Sequence, residues 1–467
     1  MEGKRSGKDL TQGSMMRHVI NFSLPMLIGN LLQALYNTVD SIWVGNFLGP
    51  AALGAVSVSF PIIFVLLSMI MGITMATTIL VAQYMGSRQT DMVKKTINNT
   101  FLILSVSAIA VSILGILFNR SILRLINTPE DILVMASSYL NLFLAGLIFM
   151  FGYNTISAIL RGLGDSKTPL SFLAIATVIN IILDPLFILG VGPFPRLEIA
   201  GAALATTIAQ AISFIISVIY LNRKGDLLTF NIRYFKFDRE LTKKTVKIGV
   251  PAGIQMSVVS VGMLVVSAII NSFGTQTVAS FGMASRLDQF AMLPSQSISM
   301  ATSAIAGQNI GAGKDENVKQ AVRWSTIFAV GIAAVITLAA QLAPRALLGL
   351  FTSDSELLAL GEHNLRILSL AYIPSAVMFI TVGLLRGAGD TFPTMIFSIT
   401  SLWVIRVPLA KLLSGFPSLG ADGIWIAIVT SAVISMLMSR IYYATGKWKE
   451  KNVIGRPSGD QHLVVSD

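Results

Sequence analysis

The sequence predicts an all-α membrane protein, with twelve transmembrane helices in two pseudo-symmetric six-helix lobes. Three observations predict it. The composition comes first: of 467 residues 54% are hydrophobic and 12% charged, with a mean hydropathy of +0.73. A soluble domain carries about twice that charged fraction. Too few charges are present to cover a soluble surface, so a soluble enzyme, a nucleic-acid binder and a disordered chain all fit poorly. The second observation is a series of about twelve apolar runs, each near the 20 residues a bilayer-crossing helix needs. The third is that the sequence repeats itself once.

The runs lie near residues 19–45, 54–82, 98–118, 134–159, 169–190, 199–221, 248–272, 277–306, 322–343, 362–385, 394–413 and 421–444, and are numbered spans 1 to 12. Lipid offers the backbone no hydrogen bonds, so each is expected as a helix. They are too long for barrel strands, which need about 10 alternating residues. Net charge is +11, but the basic residues lie mostly in short gaps between apolar runs, where topology explains them better than nucleic acid does. Most sit in the N-tail (1–18), the 83–97, 160–168 and 307–321 loops, the linker 222–247 and the C-tail (445–467). An even number of spans puts all of these on one side, the cytoplasmic side of a cell membrane by the positive-inside rule. Arg120, Arg124, Arg196, Arg345 and Lys411 fall on the other side. The expected divisions are thus an N-lobe over 19–221 and a C-lobe over 248–444. The basic N-tail has no secretory-signal pattern. The chain has no Cys, which excludes disulfides and thiol chemistry. His18, His363 and His462 are scattered, so no metal site is expected.

The repeat is offset by about 225 residues. VAQYMGSRQTDMVKKT (81–96) aligns with AGQNIGAGKDENVKQA (306–321), pairing Gln83 with Gln308 and Gly86 with Gly311. LRGLGDSKTP (160–169) aligns with LRGAGDTFPT (385–394), pairing Arg161 with Arg386 and Asp165 with Asp390. Pro25 meets Pro251. Six spans per half make the repeats parallel, and two such lobes suit alternating access around a central site. The RG-x-GD loops read as helix punctuation, Gly ending one helix and Asp starting the next. GDSKT (164–168) is not a phosphate loop, because Lys167 follows Ser166 rather than Gly. With no nucleotide site visible, transport must draw on an ion gradient or a partner.

Ionisable residues inside spans are functional candidates. Asp40 (span 1), Asp184 (span 5) and Asp288 (span 8) qualify. Asp40 aligns with Val265 or Val266 and Asp184 with about Val407, so the repeat can build these helices without acids. The second half holds Arg286, Arg366 and Arg406 in or near its spans; Asp288 is therefore expected in a structural ion pair, with Arg406 as mate, since residues two apart do not face each other on a helix. The first half has no Lys or Arg inside a span. A carboxylate held in oil without a cation takes up a proton or a metal cation, which is what an ion-coupled pump requires. Two permanently protonated, hydrogen-bonded acids are the structural alternative.

Helical spacing places Gln33, Tyr36, Asn37 and Asp40 along one side of span 1, and Asn180 one turn from Asp184. Pro185 removes one backbone hydrogen bond beside the acid. Tyr153, Asn154 and Ser157 of span 4, with Thr206, Thr207 and Gln210 of span 6, complete the expected polar pocket. Met69, Met71 and Met75, with Met283, Met292 and Met300, offer pliable surface for ligands of varied shape; packing or lipid contact is the plainer role for any one of them.

Twelve spans in two lobes, the stretch LPMLIGNLLQALYNTVDSIWVG and the paired Q-x-x-G and LRG-x-GD loops together resemble the multidrug and toxic compound extrusion (MATE) family, most of all its DinF-like branch. The likeness covers about residues 15–445. It implies a V-shaped pair of lobes and export of amphipathic, often cationic, small organic compounds in exchange for protons or sodium ions. It maps the cation site onto Asp40, Asn180 and Asp184, with Asn154 and Thr206 as looser carry-overs; spacing adds Tyr36 to that site, and Asn37, Gln33, Met69 and Met292 are the expected lining of the substrate cavity. Acidic ligands that some relatives carry in spans 7 and 10 are missing here, apart from Glu362 at a helix end. The expectation is a proton-coupled secondary antiporter of the cell membrane, with no cofactor and no nucleic-acid partner. Sodium coupling and a lipid-linked sugar flippase are the alternatives; the flippase would need cationic groups the first lobe lacks. An intramembrane enzyme needs a nucleophile or metal constellation that is missing, and a receptor needs no repeated lobes.

Overall fold

The computed structural model describes residues 7–224, 235–352, 354–451 and 453–454. Every regular element among the described residues is helical. Helix α1 (Met15–Gly86) carries spans 1 and 2, joined at Gly49 (φ 80°, ψ −175°). The gap expected near 46–53 shrinks to this one residue, whose backbone conformation is open to glycine alone. Spans 3 to 6 are α2 (Thr90–Leu125), α3 (Glu130–Gly162), α4 (Lys167–Leu189) and α5 (Glu198–Lys224). Spans 7 to 9 are α6 (Arg239–Asn271), α7 (Thr275–Gly311) and α8 (Asp315–Leu342), and the short α9 (Pro344–Leu348) follows. Span 10 is α10 (Ser355–Leu368) and α11 (Tyr372–Gly387), joined by a 3-10 turn over Ser369–Ala371. Span 11 is α12 (Thr391–Ile399), a π-helical stretch Thr400–Arg406, and α13 (Val407–Ser414). Pro408 has no N–H for the carbonyl one turn before it, and the helix rewinds there. Span 12 is α14 (Asp422–Ala444).

Among the described residues, eleven stretches are long and apolar enough to cross a membrane. The twelfth crossing, α7, is long enough but more polar. Most helices outrun the apolar stretches, since hydropathy marks the lipid-embedded part and the helix continues beyond it. The linker expected over 222–247 is correspondingly shorter: α5 runs to Lys224 and α6 starts at Arg239. Residues 225–234 of that linker, and 455–467 of the expected C-tail with His462, lie outside the described residues.

The chain forms two compact units. Of the described residues, one holds 7–9 and those within Ile28–Gly253, the other Leu10–Leu27 and those from Ile254 onward. These limits differ from the expected lobes, because the first turns of spans 1 and 7 each pack in the opposite unit from the rest of their helix. Met15, Val19, Phe22 and Met26 are buried with Ile298, Ile305, Val322 and Leu384 in the core of the second unit. In the first unit, α6 meets α1 backbone to backbone: a Cβ on Gly249 would stand 2.9 Å from the Gly72 carbonyl oxygen. The chain changes unit just after Pro25 and just after Pro251.

Helices in lipid gain no hydrophobic drive toward each other and associate through close van der Waals contact at small residues. The repeat shows this twice. In the first unit a Cβ on Gly162 would stand 2.8 Å from the Thr78 carbonyl oxygen, and in the second a Cβ on Gly387 would stand 2.6 Å from that of Ser303. One turn earlier, Ala158 accepts a hydrogen bond from the Thr78 hydroxyl at 3.0 Å, and its counterpart Gly383 presses on Ser299.

The repeated loops are punctuation. Gly164 (φ 87°) and Gly389 (φ 81°) end their helices in the left-handed region, which glycine enters without strain. Asp165 accepts from the backbone N–H groups of Lys167 (3.1 Å) and Thr168 (3.0 Å), capping α4. Asp390 stands at the start of α12 but accepts instead from the Tyr442 hydroxyl at 2.6 Å. Gln308 of the second Q-x-x-G accepts from the Leu10 N–H at 2.9 Å, and the Asn309 amide donates to the Leu10 carbonyl at 3.1 Å. The motif therefore fastens the segment that precedes span 1.

Candidate functional site

The first unit gathers polar groups from four helices. Tyr36 and Asp40 are one turn apart on α1, Asn180 and Asp184 one turn apart on α4. Thr206 comes from α5, whose start is pressed against α4: a Cβ on Gly201 would stand 2.5 Å from the Phe187 carbonyl oxygen. Asn180 and Asp184 are 0% exposed, and Asp40 is half-buried. The Asn180 amide donates to Asp184 Oδ1 at 3.0 Å and to Thr206 Oγ1 at 3.5 Å. The Asp40 and Asp184 carboxyls come within hydrogen-bonding reach of each other. The Tyr36 phenol stands among Asp40, Thr206, Asp184 and Tyr139.

Four buried atoms here have no hydrogen-bond partner among the described residues: Tyr36 Oη, Asp40 Oδ1, Asn180 Oδ1 and Asp184 Oδ2. Three are acceptors and only the phenol can donate. Ionised carboxylates accept only, so two of them in contact are stable only if a proton or another cation joins them. Among the described residues no Lys, Arg or His forms an ion pair with either acid, and no group of three or more His, Cys, Asp or Glu is placed to hold a metal.

Of the residues expected at the cation site, the structure brings together Asp40, Asp184, Asn180, Tyr36 and Thr206. Asn154 is half-buried and its amide is occupied by the Met150 carbonyl of its own helix at 2.8 Å. Thr207 donates to the Leu142 carbonyl at 3.4 Å, and the Tyr153 hydroxyl to that of Pro169 at 3.4 Å. Ser157 Oγ and Gln210 Oε1 are buried without a hydrogen-bond partner among the described residues. The side of span 1 expected to carry four polar residues is divided. Tyr36 and Asp40 turn inward, whereas Gln33 and Asn37 are exposed and bond to each other at 3.3 Å. At about 100° per residue the four cover a 100° arc, and the edge of the buried face cuts through it. Met69 is 61% exposed. Met292 departs from the expected cavity: it packs half-buried against the core of the second unit. Tyr139, only 8% exposed, escapes a reading of the sequence, because one aromatic residue in an apolar run signals core.

Asp288 also departs from expectation. Its Oδ1 accepts from the Tyr372 hydroxyl at 2.5 Å, and no ion pair to it occurs among the described residues. Arg406, its expected mate, is near enough for the two charges to attract, but it donates to Ser431 Oγ at 2.8 Å rather than to the acid. The phenol satisfies the acid locally, and the guanidinium is engaged on α14.

Comparison with known proteins agrees with this architecture. The MatE family model matches residues 25–186 and again residues 251–412. The chain belongs to the MatE family. Its two matches fall one on each half, the internal repeat seen from outside, and the MatE family is one of transporters rather than enzymes. The chain is 36% identical over 442 residues to the probable multidrug resistance protein YpnP of Bacillus subtilis, covering 94% of this chain and 97% of that one. It is 26% identical over 429 residues to the FAD transporter of Shewanella oneidensis, covering 91% and 93%. A crystal structure of MATE in the bent conformation has the same fold, with a TM-score of 0.88 over 96% of this chain and 98% of that one, at 23% identity.

Proposed function

We propose that this MatE protein is a secondary multidrug exporter of the cell membrane. It antiports amphipathic, often cationic, organic compounds against protons by alternating access, with both termini cytoplasmic. The observation that carries the reading is the meeting of Asp40 and Asp184 where, among the described residues, neither acid forms an ion pair. A proton entering from outside converts one acceptor into a donor. That donor meets the surplus of acceptors at Asp184 Oδ2, Asn180 Oδ1 and Asp40 Oδ1, so protonation rearranges the hydrogen bonds of span 1. Tyr36 and Thr206 hold the new arrangement, the drug leaves outward, and the proton is released to the cytoplasm before the next drug binds. Coupling requires that the pair's proton affinity differ between the two states. Export of varied drugs is supported by relatives named as multidrug resistance proteins. The relative named as a FAD transporter shows that family membership alone leaves the substrate open. Protons are favoured over sodium because the two carboxyls already lie within hydrogen-bonding reach, which suits a shared proton.

The test is ethidium efflux from cells expressing Asp40→Asn or Asp184→Asn at parental membrane levels. Each variant should export at least about tenfold more slowly, the weight of a hydrogen bond to a charged group. Parental efflux from either variant would remove that residue from the coupling site.

A further inference from the structure

Within the first unit, a polar seam runs along α5 from the acidic pair toward the end expected in the cytoplasm. From Thr206 to Tyr220 the polar residues of the helix are Thr206, Thr207, Gln210, Ser213, Ser217 and Tyr220. At about 100° per residue, all but Thr207 fall within an arc of about 80°, and Ile215 and Ile219 are exposed on the opposite face. The seam faces α4. Thr206 accepts from Asn180 at 3.5 Å, Ser213 donates to the Phe172 carbonyl at 3.1 Å, and the Tyr220 hydroxyl lies 3.2 Å from that of Thr168. Its head therefore meets Asn180, which also holds Asp184. At its foot Thr168 donates to Asp165 Oδ2 at 2.6 Å. A hydroxyl has one proton to give, so Tyr220 is the donor to Thr168, and the three groups point a proton toward a carboxylate. Hydrogen-bonded contact between helices accounts for Thr206 and Ser213. It does not account for Gln210 Oε1, which is buried with no hydrogen-bond partner among the described residues. In the antiparallel register of the three α4 contacts, Ala176 comes opposite Gln210 and offers its side chain no polar atom. On α3, Ser157 is 2% exposed and its Oγ is equally unpartnered among the described residues. The close approaches of Gly146 to Thr207 and Gly152 to Phe214 set α3 parallel to α5 and put Ser157 level with Ser217. Buried polar atoms of this kind are satisfied by bound water.

We infer that the α5 seam is the proton-release path of the first unit, leading from the Asp40–Asp184 pair to Asp165 and bridged by bound water at Gln210 and Ser157. The proton leaves a carboxyl of the pair for the first water. Each water or hydroxyl along the seam accepts one proton and gives up another, so its own O–H count is unchanged. Tyr220 passes its proton to Thr168 and is refilled from the seam, Thr168 passes its proton to Asp165, and Asp165 gives it to solvent. The repeat shows the same position without a path. At the 225-residue offset Met438 replaces Ser213, and Ser431, the counterpart of Thr206, accepts from Arg406, a cation that repels a proton. The inference rests on the proton-antiport reading above and deepens it by assigning the residues through which the proton leaves.

The experiment compares two activities of the full chain in proteoliposomes: net ethidium export driven by a proton gradient, and exchange of labelled for unlabelled ethidium without a gradient. Net export needs the proton to leave the pair in every cycle, whereas exchange returns the drug-loaded protein and releases no proton. Gln210→Met, close in size but without the amide, should slow net export about tenfold more than exchange, and Gln210→Asn should recover most of the difference. Equal losses in both activities, no loss in either, or a larger loss in exchange would overturn the inference and leave the antiport reading standing. A parental protein with no proton-driven export removes both. If Gln210→Met does not accumulate, or the parental protein does not exchange, the maximal export rates of Ser213→Val and the parental protein in H2O and D2O decide instead. The isotope effect should be larger in Ser213→Val, because proton release then limits the cycle, and an equal or smaller effect would overturn the inference.

Discussion

Asp288 accepts from Tyr372, and removing the phenolic hydroxyl leaves the half-buried acid without a hydrogen-bond donor among the described residues. Tyr372→Phe should therefore lower stability by about 1–3 kcal/mol, read as a lower melting temperature in detergent, with ethidium export at sub-melting temperature largely retained. In the first unit the order reverses. Asn180→Ala removes the donor to Asp184 and to Thr206, and it should impair proton-driven export more than it impairs stability, measured by efflux and melting on the same preparation. The acids and Asn180 were legible in the sequence because a carboxylate in a long apolar run, in a half without intramembrane cations, has few other reasons to be there. Tyr139 was not legible, since a buried tyrosine looks like packing until its neighbours are known. Neither was the separation of Gln33 and Asn37 from Tyr36 and Asp40: spacing gives the width of a polar arc but not where the buried boundary crosses it. The Asp288–Arg406 partnership is present only as attraction at a distance, because opposite charge in the same half names a partner while nearby hydroxyls take the direct bonds.

Helix contacts in this protein depend on positions where a side chain cannot exist. Gly387→Leu should prevent α11 from meeting α7, where even a Cβ would overlap the Ser303 carbonyl. The variant should be lost from the monodisperse peak in size-exclusion chromatography. Gly331→Leu, on α8 with nothing within 4 Å of its Cβ, should elute like the parental protein. Span number and approximate position were readable from hydropathy, because crossing a bilayer fixes length and polarity together. The joint between spans 1 and 2 was not, since a single glycine with φ 80° replaces a loop. Helix α7 sits between these cases: its length marked it as a span, although it is more polar than the other crossings.

The repeat and the charge asymmetry organise the whole molecule, and the absence of cysteine makes the topology directly testable. Asp91→Cys, at the start of α2, and Ser418→Cys, between α13 and α14, are exposed positions on opposite sides of the expected membrane. An impermeant maleimide applied to intact cells should label Ser418→Cys alone, and labelling of Asp91→Cys should need permeabilised cells; the reverse pattern would invert the orientation. The lobe limits drawn from span counting were displaced because the leading turns of spans 1 and 7 pack outside the unit that holds the rest of each helix, information that hydropathy does not carry. The account stands or falls on the shared carboxyl pair of the first unit. Its most direct test is ethidium transport by purified protein in proteoliposomes, with a proton gradient or a sodium gradient imposed singly. Transport driven by the proton gradient alone, and abolished in Asp184→Asn, is the predicted result. Transport driven only by sodium, or unchanged in Asp184→Asn, would contradict it.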